Sequence, residues 1–251
     1  MKTELLFLEN TYLYAILVNI IDIGEDEFGV FFIADKTIYY PQGGGQPNDF
    51  GWIESNRISI KIEKAKYNEY GMIKHYTETL VPASFLNNEI AMHINQDSRK
   101  LNSAYHTAGH WLSQIINENL QLPIFPVKGH HFPGEAYVEF DGDFSSINDD
   151  TIHHLNLAMR IDLQTQPLVK SQIVSSDSPL LANALLPKNF KPLSNRPLRL
   201  VTIDGYKAVP CGGTHIERLR EIKSVLPKQI YKKGKRIRLS YECTVWNSVS
   251  C

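Results

Sequence analysis

Between Asp97 and about Leu120 the apolar residues Leu101, Ala104, Tyr105, Ala108, Leu112, Ile115 and Ile116 recur at helical spacing, with Asp97 placed to cap the first turn. What precedes this segment has a different period. Tyr12 to Ile23, Val30 to Ala34, Thr37 to Tyr40, Trp52 to Glu63 and Gly71 to Thr77 are short runs rich in β-branched and aromatic residues, broken by turn signals such as Gly24-Glu25-Asp26-Glu27. A chain that changes character in this way folds as α+β. The expectation is a small amino-terminal β-barrel-like domain, or a sandwich, over residues 1–92, followed by an α+β domain over residues 93–251. In the second part, strands are expected at Ala136 to Phe140, Leu168 to Val174, Leu198 to Ile203 and Arg236 to Cys243, with a further helix near Asp150 to Gln164.

The 251 residues suffice for one large domain or two small ones, and 43% apolar with 21% charged residues is the composition of a folded globular protein. A net charge of −1 supplies no global field for nucleic acid or anionic membranes, so any such contact must be local. The charge is unevenly placed: residues 1–92 carry 7 basic and 13 acidic side chains, residues 93–251 carry 19 and 14. Arg220 to Arg238 concentrates eight of the basic residues against Glu221 alone. Three cysteines, Cys211, Cys243 and Cys251, are too few for a disulfide framework and point to a reducing compartment, the cytoplasm. Neither a signal peptide nor an apolar run of about 18 residues is seen, so no membrane association is expected.

His106 and His110 stand four apart on the expected helix and project from one face, able to share an ion. At about 100° per residue they fall opposite the apolar stripe, beside Asn102, Ser113 and Asn117. They therefore face either bulk water or a polar cleft roofed by another part of the chain. Cys211-Gly212-Gly213-Thr214-His215 offers that roof: two glycines let the backbone bend so that thiol and imidazole converge, completing one sulfur and three nitrogens suited to zinc. The zinc would be structural or catalytic. A HExxH peptidase is excluded, because Thr107 stands where its glutamate would.

Two further stretches stand out. Pro41-Gln42-Gly43-Gly44-Gly45-Gln46-Pro47-Asn48-Asp49 is either a hairpin turn or chain that approaches something closely, with Gln46 offering donor and acceptor to a site on the neighbouring domain. Lys232-Lys233-Gly234-Lys235-Arg236 reads as a basic hairpin tip, so Lys232, Lys233, Lys235 and Arg236 are candidate RNA-phosphate contacts.

Taken in order, GGGQ, HTAGH and PCGGTH resemble the motifs of the free-standing alanyl-tRNA editing proteins called AlaX, related to the editing domain of alanyl-tRNA synthetase, across nearly the whole chain. The resemblance implies hydrolysis of the ester that joins a wrong amino acid, chiefly serine and secondarily glycine, to tRNA(Ala). It implies zinc on His106, His110, Cys211 and His215, with Thr107 near the amino-acid side chain. Gln46, with Gly44 and Gly45, would help select serine. Lys128-Gly129-His130-His131-Phe132-Pro133 resembles a stretch bordering the editing cleft, which makes His130 and His131 candidate substrate contacts, whereas His153 and His154 read as surface residues. The chain stops at Cys251, before the carboxy-terminal extension of the largest members, so tRNA contacts are expected from the editing half. Two other readings stay open: a tRNA-binding module with a purely structural zinc, and a metal-free thiol hydrolase with Cys211 as nucleophile and His110 or His215 as base.

Overall fold

A computed structural model describes residues 2–55, 57–145, 147–148, 150–186, 190 and 197–246; Cys251 lies outside them. The chain divides into two compact units, Met1–Lys100 and Leu101–Cys251. In the first, β1 (Glu4–Leu5) pairs in parallel with β4 (Lys36–Thr37). Strands β2 (Ala15–Asp26), β3 (Gly29–Ala34), β5 (Gly51–Ser55), β6 (Ile58–Tyr67), β7 (Ile73–Thr77) and β8 (Glu89–Ile94) close a barrel in the order β2-β3-β7-β6-β5-β8. Alternation decides which side chains fill it: Val18, Ile20, Ile53, Ile60, Ile62, Ile90, Met92 and Ile94 point inward. Register shifts in β2 between Ile20 and Asp22, and in β6 between Ile62 and Lys64, supply the local bends that closure needs.

The barrel settles the choice between barrel and sandwich, and it alters several strand expectations. The run Trp52 to Glu63 is two antiparallel strands, β5 and β6, with Arg57 between them at φ 68°. Of the Thr37 to Tyr40 run only Thr37, the last residue of β4, joins a ladder. Beyond it, side chains take the backbone bonds: the Tyr39 amide donates to Thr37 Oγ1 (3.0 Å) and the Tyr40 amide to Asp49 Oδ2 (2.7 Å). The last barrel strand, Glu89–Ile94, runs past Met92, and its short alternating pattern is weak beside Asn87-Asn88.

The glycine-rich stretch is a stapled turn. Gly43 and Gln46 exchange backbone hydrogen bonds (3.2 and 2.8 Å), and the two residues between them, Gly44 and Gly45, sit at φ 53° and 81°. Left-handed geometry at both central positions is the type I′ requirement that glycine meets without a steric penalty. A Cβ on Gly43 would meet nothing nearer than 3.7 Å, so crowding is not why that residue is glycine. The stretch ends at a buried ion pair: Asp49 (1% exposed) accepts from the guanidinium of Arg99 (0% exposed), which also donates to the carbonyls of Thr11 and Ile38. Arg99 thereby binds three segments of the first unit together.

α1 (Gln96–Gln114) is capped by Asn95, whose Oδ1 accepts from the Ser98 amide (2.8 Å), rather than by Asp97, which lies in the first turn. A π-helical turn, Ile115–Asn119, ends it. The second unit continues with β9 (Ile124–His130), β10 (Tyr137–Gly142), α2 (Asp150–Thr165), β11 (Val169–Val174), β12 (Leu198–Ile203), β13 (Val209–Pro210), β14 (Ile222–Lys233) and β15 (Arg236–Val245), whose strands form two sheets ordered β14-β15-β10-β9 and β11-β12-β13. Asp162 on α2 ties these elements by accepting from Trp111 Nε1 (2.6 Å) on α1 and from the Tyr206 hydroxyl (2.5 Å). β9 and β14 were not expected. β14 carries Pro227 at a register shift and four lysines, which mask its alternation. Among the described residues, no helix is long and apolar enough to cross a membrane.

Replacing Asp49 with Ala strands a buried guanidinium, a loss of about 3–5 kcal/mol when one member of such a pair is removed. Urea denaturation of Asp49→Ala is expected to show that loss, with Arg99→Met in the same background recovering part of it. A deficit below about 1 kcal/mol would show that the pair does not hold the unit together.

Candidate metal centre

The helix that carries His106 and His110 is not half-solvated. From Asn102 to Ile116 every residue except His110 is buried, so its polar groups must find partners inside the protein. His106 and His110 share a face with ring centroids 5.0 Å apart, and His215 lies 4.5 and 4.8 Å from them. Cys211 Sγ is 3.4 Å from His106 Nε2 and 3.3 Å from His215 Nε2. The ligand atoms of His106, His110, Cys211 and His215 all fall within 4.8 Å of one another and could hold a metal ion. The histidine pair therefore faces a polar cleft roofed by the Cys211–His215 loop, not bulk water.

Three braces fix this roof. Arg199 on β12 donates from Nη1 to the carbonyls of Cys211 (3.1 Å) and Gly213 (2.8 Å), and Thr214 shares a 2.7 Å hydrogen bond with Ser103 on α1. The third brace is Thr107. Its hydroxyl donates to the Ser103 carbonyl (2.8 Å), so toward His215 Nδ1 (3.0 Å) and the Ile216 amide (3.3 Å) it can only accept. His215 therefore carries its proton on Nδ1 and turns the lone pair of Nε2 toward Cys211. Thr107 was expected beside a substrate side chain; its described bonds are to the backbone and to His215.

Burial dominates the electrostatics. It holds His106 and His215 well below the usual imidazole range and brings His110 down to about 4, with neighbouring imidazoles or the Arg199 guanidinium adding to the effect. Burial also pushes the Cys211 thiol up to about 11, opposed by the Gly213 N–H and Arg199. Neutral imidazoles and a thiol that loses its proton only to a cation are the protonation states that a soft divalent ion uses.

His131 completes the cluster's surroundings. Its ring stacks on His106 at 4.7 Å, and it is buried. Neighbouring His130 turns the other way, stacked between Phe132 (4.3 Å) and Tyr137 (5.1 Å) and 3.7 Å from Glu135. Of the two candidate substrate contacts the structure therefore brings His131, not His130, to the cluster; alternation past the end of β9 accounts for the difference. A cavity of about 180 Å³ opens beside it, lined by Gly109, His110, Ser113, Lys128 and His131 with a largely apolar remainder.

The basic tip forms as expected: Lys233 pairs with Arg236 across a turn with Gly234 at φ 61°. Lys232, Lys233 and Lys235 are exposed, while Arg236 leans on Glu139 (3.3 Å), which also accepts from Arg238 (2.7 Å). His153 and His154 are exposed on α2. Cys243 is buried on the core face of β15, and both it and Cys211 are free thiols. The serine and arginine positions that brace the roof, Ser103 and Arg199, carried no motif; their side chains matter only because groups distant in sequence come to them.

Fold and cluster define the class: a barrel unit and an α+β unit whose long helix holds a three-histidine, one-cysteine candidate metal centre next to a small cavity. Over nearly its whole length the chain is similar to alanyl-tRNA editing proteins. It is 27% identical over 244 residues to AlaX-L of Pyrococcus horikoshii, covering 96% of this chain and 58% of that protein. It is 27% identical over 248 residues to AlaX-M of Methanosarcina barkeri, covering 95% and 98%. The alanine–tRNA ligase of Methanococcus aeolicus is 28% identical over 231 residues, which are 88% of this chain and 23% of the ligase. The chain thus spans less than two thirds of AlaX-L and about a quarter of the ligase. No protein-family model matches it.

Two outcomes are expected. Thr107→Val, which cannot accept from His215 Nδ1, should weaken metal binding about 10- to 100-fold in a chelator competition, the usual effect of losing a group that orients a ligand. In the metal-free protein, His110 folded titrates near 4 while unfolded it titrates near 6.5. Between those values the unfolded chain binds more protons, so stability is full above pH 6.5 and falls as pH drops toward 4. The slope is about 1.4 kcal/mol per pH unit for each histidine so depressed. Urea melts at pH 7.0 and 5.5 read it directly, and equal midpoints would contradict it.

Proposed function

We propose that this protein is an aminoacyl-tRNA deacylase that edits in trans, hydrolysing the ester of serine, and secondarily glycine, mischarged onto tRNA(Ala), and that it works in the cytoplasm with bound zinc. The observation that carries the reading is the convergence of His106, His110, Cys211 and His215 beside a cavity sized for an amino-acid moiety. The editing activity named for the AlaX relatives supports it. In this reading residues 1–92 are a barrel domain bearing the GGGQ turn and residues 93–251 the editing domain.

The donor set fits zinc. Sulfur to nitrogen separations of 3.3 and 3.4 Å are near the roughly 3.6 Å that tetrahedral zinc with ordinary bond lengths would require. His106, His110, Cys211 and His215 would hold the ion, with Thr107 fixing the His215 tautomer and Arg199 the loop. Bound zinc would supply Lewis acidity toward the ester carbonyl, or a fixed positive centre that orients the substrate. The apolar cavity wall excludes bulk water from the aminoacyl group. Water adds across the ester bond, releasing the amino acid and restoring the ribose hydroxyl. Gln46 with Gly44 and Gly45 contributes to choosing serine. Lys232, Lys233, Lys235 and Arg236 contact tRNA phosphates. A second hydrolytic site is the physical answer to a problem of one hydroxyl, which a binding pocket built for alanine rejects poorly.

One observation favours a second reading. Four protein ligands satisfy a tetrahedral ion without an open position, the arrangement of structural zinc, and a tRNA-binding module without turnover follows from it. A deacylation time course on seryl-, glycyl- and alanyl-tRNA(Ala), with native protein and Cys211→Ala, separates the two. Rapid loss of serine that falls at least about 100-fold in the variant supports editing. Survival of all three esters, with tRNA still bound and the fold lost on chelation, supports the module. Lys232→Ala combined with Lys233→Ala and Lys235→Ala is expected to raise KM for tRNA with little change in kcat, an effect that high salt abolishes.

A further inference from the structure

We infer that His131 is the residue that recognises the serine hydroxyl, accepting its hydrogen bond at Nε2 inside the cavity; this rests on the editing reading above. The tautomer follows from a chain of bonds. The Tyr241 hydroxyl lies 2.8 Å from the Tyr105 carbonyl and 2.7 Å from His131 Nδ1. A carbonyl cannot donate, so the hydroxyl proton goes to Tyr105, and the bond to His131 exists only if Nδ1 carries a proton and donates it. Nε2 is left as the lone-pair nitrogen of a ring that lines the cavity, and among the described residues it has no hydrogen-bond partner.

The ring is held so closely that its position is not adjustable. A Cβ on Gly109 would come within 2.3 Å of His131 Cε1, and one on Gly129 within 2.2 Å of Nε2. Both glycines are thus explained by the imidazole that slides between them, including the glycine inside HTAGH, which ion binding alone leaves without a reason. The opposite flank is the His106 ring, stacked at 4.7 Å. Among the cavity's polar groups, the Ser113 hydroxyl already donates to the Gly109 carbonyl (2.8 Å), Lys128 offers only donors, and His110 belongs to the ion cluster. After that donation Ser113 Oγ can still accept, so His131 Nε2 and Ser113 Oγ are the two side-chain acceptors on the cavity, and His131 Nε2 is the one whose ring orientation and tautomer are fixed while it has no hydrogen bond among the described residues. Phe125, Val127, Val138, Leu185 and Val209 supply apolar lining.

An acceptor fixed in an apolar cavity discriminates by what it lacks. A seryl ester pairs with it, whereas an alanyl or glycyl ester leaves Nε2 desolvated and unpaired. The inference therefore places alanine and glycine together as poor substrates and serine apart from both, which a purely steric pocket would not do, since glycine is the smallest of the three.

The test compares native protein, His131→Leu, His131→Gln and Tyr241→Phe, all full-length and zinc-loaded, on seryl- and glycyl-tRNA(Ala). Native protein is expected to prefer the seryl ester by about 100-fold or more in kcat/KM. His131→Leu should bring that ratio within about threefold of unity. His131→Gln, whose amide oxygen reaches toward the Nε2 position, should restore at least tenfold preference. Tyr241→Phe keeps the packing but frees the tautomer and should lower the ratio about tenfold, a readout that survives if His131→Leu does not fold. Equal losses on both esters, with the ratio unchanged, would assign His131 a structural role and overturn the inference. If native protein hydrolyses neither ester, the editing reading fails separately. Binding of the non-hydrolysable amide of serine on 3′-amino-adenosine, compared with the alanyl amide, then decides: a tenfold serine preference lost in Tyr241→Phe sustains the role of His131, and equal binding rejects it.

Discussion

The burial of α1 on nearly every side governs the second unit, because a helix with Asn102, Ser103, His106, Thr107, Ser113 and Gln114 inside the protein has no water to satisfy them. Each polar group must be matched by a particular neighbour, and the matching leaves little freedom. Two of the matches have the same form. The Ser103 carbonyl takes the proton of Thr107, which obliges Thr107 to accept from His215; the Tyr105 carbonyl takes the proton of Tyr241, which obliges Tyr241 to accept from His131. Carbonyls already engaged in the helix thus set the tautomers of two imidazoles that reach them through a hydroxyl. The result is a pair of Nε2 lone pairs aimed by backbone geometry, one at the thiol and one on the wall of the cavity.

The same burial explains the chemistry of the cluster. Desolvation lowers the affinity of all four imidazoles there for protons and raises that of the Cys211 thiol, while Arg199 adds positive charge without entering the ligand set. Protonating any one histidine places a charge in a dry space beside other imidazoles and a guanidinium, and the close approach of His106 to both His131, on which it stacks, and His215 makes that worse. A divalent ion relieves the conflict differently: it takes lone pairs that burial has kept free of protons and converts the thiol to thiolate, which is the state burial alone disfavours. Selectivity for a cation over protons is in this way a consequence of where the helix lies.

Much of this was legible beforehand. Helical spacing located α1, and the HxxxH and CxxxH pairs marked the four residues that converge, since both signals depend on residues close in sequence. The choice between bulk water and a roofed cleft was not legible from α1 alone, because the roof arrives from residues more than 100 positions away. His130 and His131 were both candidates, and what separates them was not legible for a related reason: adjacent residues near a strand end point to opposite sides, and only the placement of β9 against β10 tells which side faces α1. Thr107 was assigned to a substrate on the strength of its motif, whereas its bonds within the protein hold His215. Arg99 carried no sequence signal, as a buried arginine is recognisable only once Asp49 and the carbonyls of Thr11 and Ile38 are assembled around it. β14 hid behind its lysines and Pro227 because an antiparallel strand solvated on one face tolerates both when a bulge removes the need for one amide.

The two histidine relays also show why an ion centre and a specificity contact can share one short stretch of helix. Both need an imidazole nitrogen whose direction is invariant, and a lone histidine in a cavity rotates and exchanges tautomers freely. Anchoring each ring through a hydroxyl to a carbonyl of α1 removes that freedom, and the alternation of Ser103 and Tyr105 carbonyls around the helix sends one ring toward the Cys211 loop and the other toward β9. Small residues then decide how near the rings approach. Gly109 on α1 and Gly129 on β9 admit the His131 imidazole, which a side chain at either position would hold off, whereas a Cβ on Gly212 would meet nothing within 4 Å. The His106 and His131 rings stack 4.7 Å apart, so an ion on the one and a hydroxyl on the other would lie close enough for a single amino-acid ester to span both.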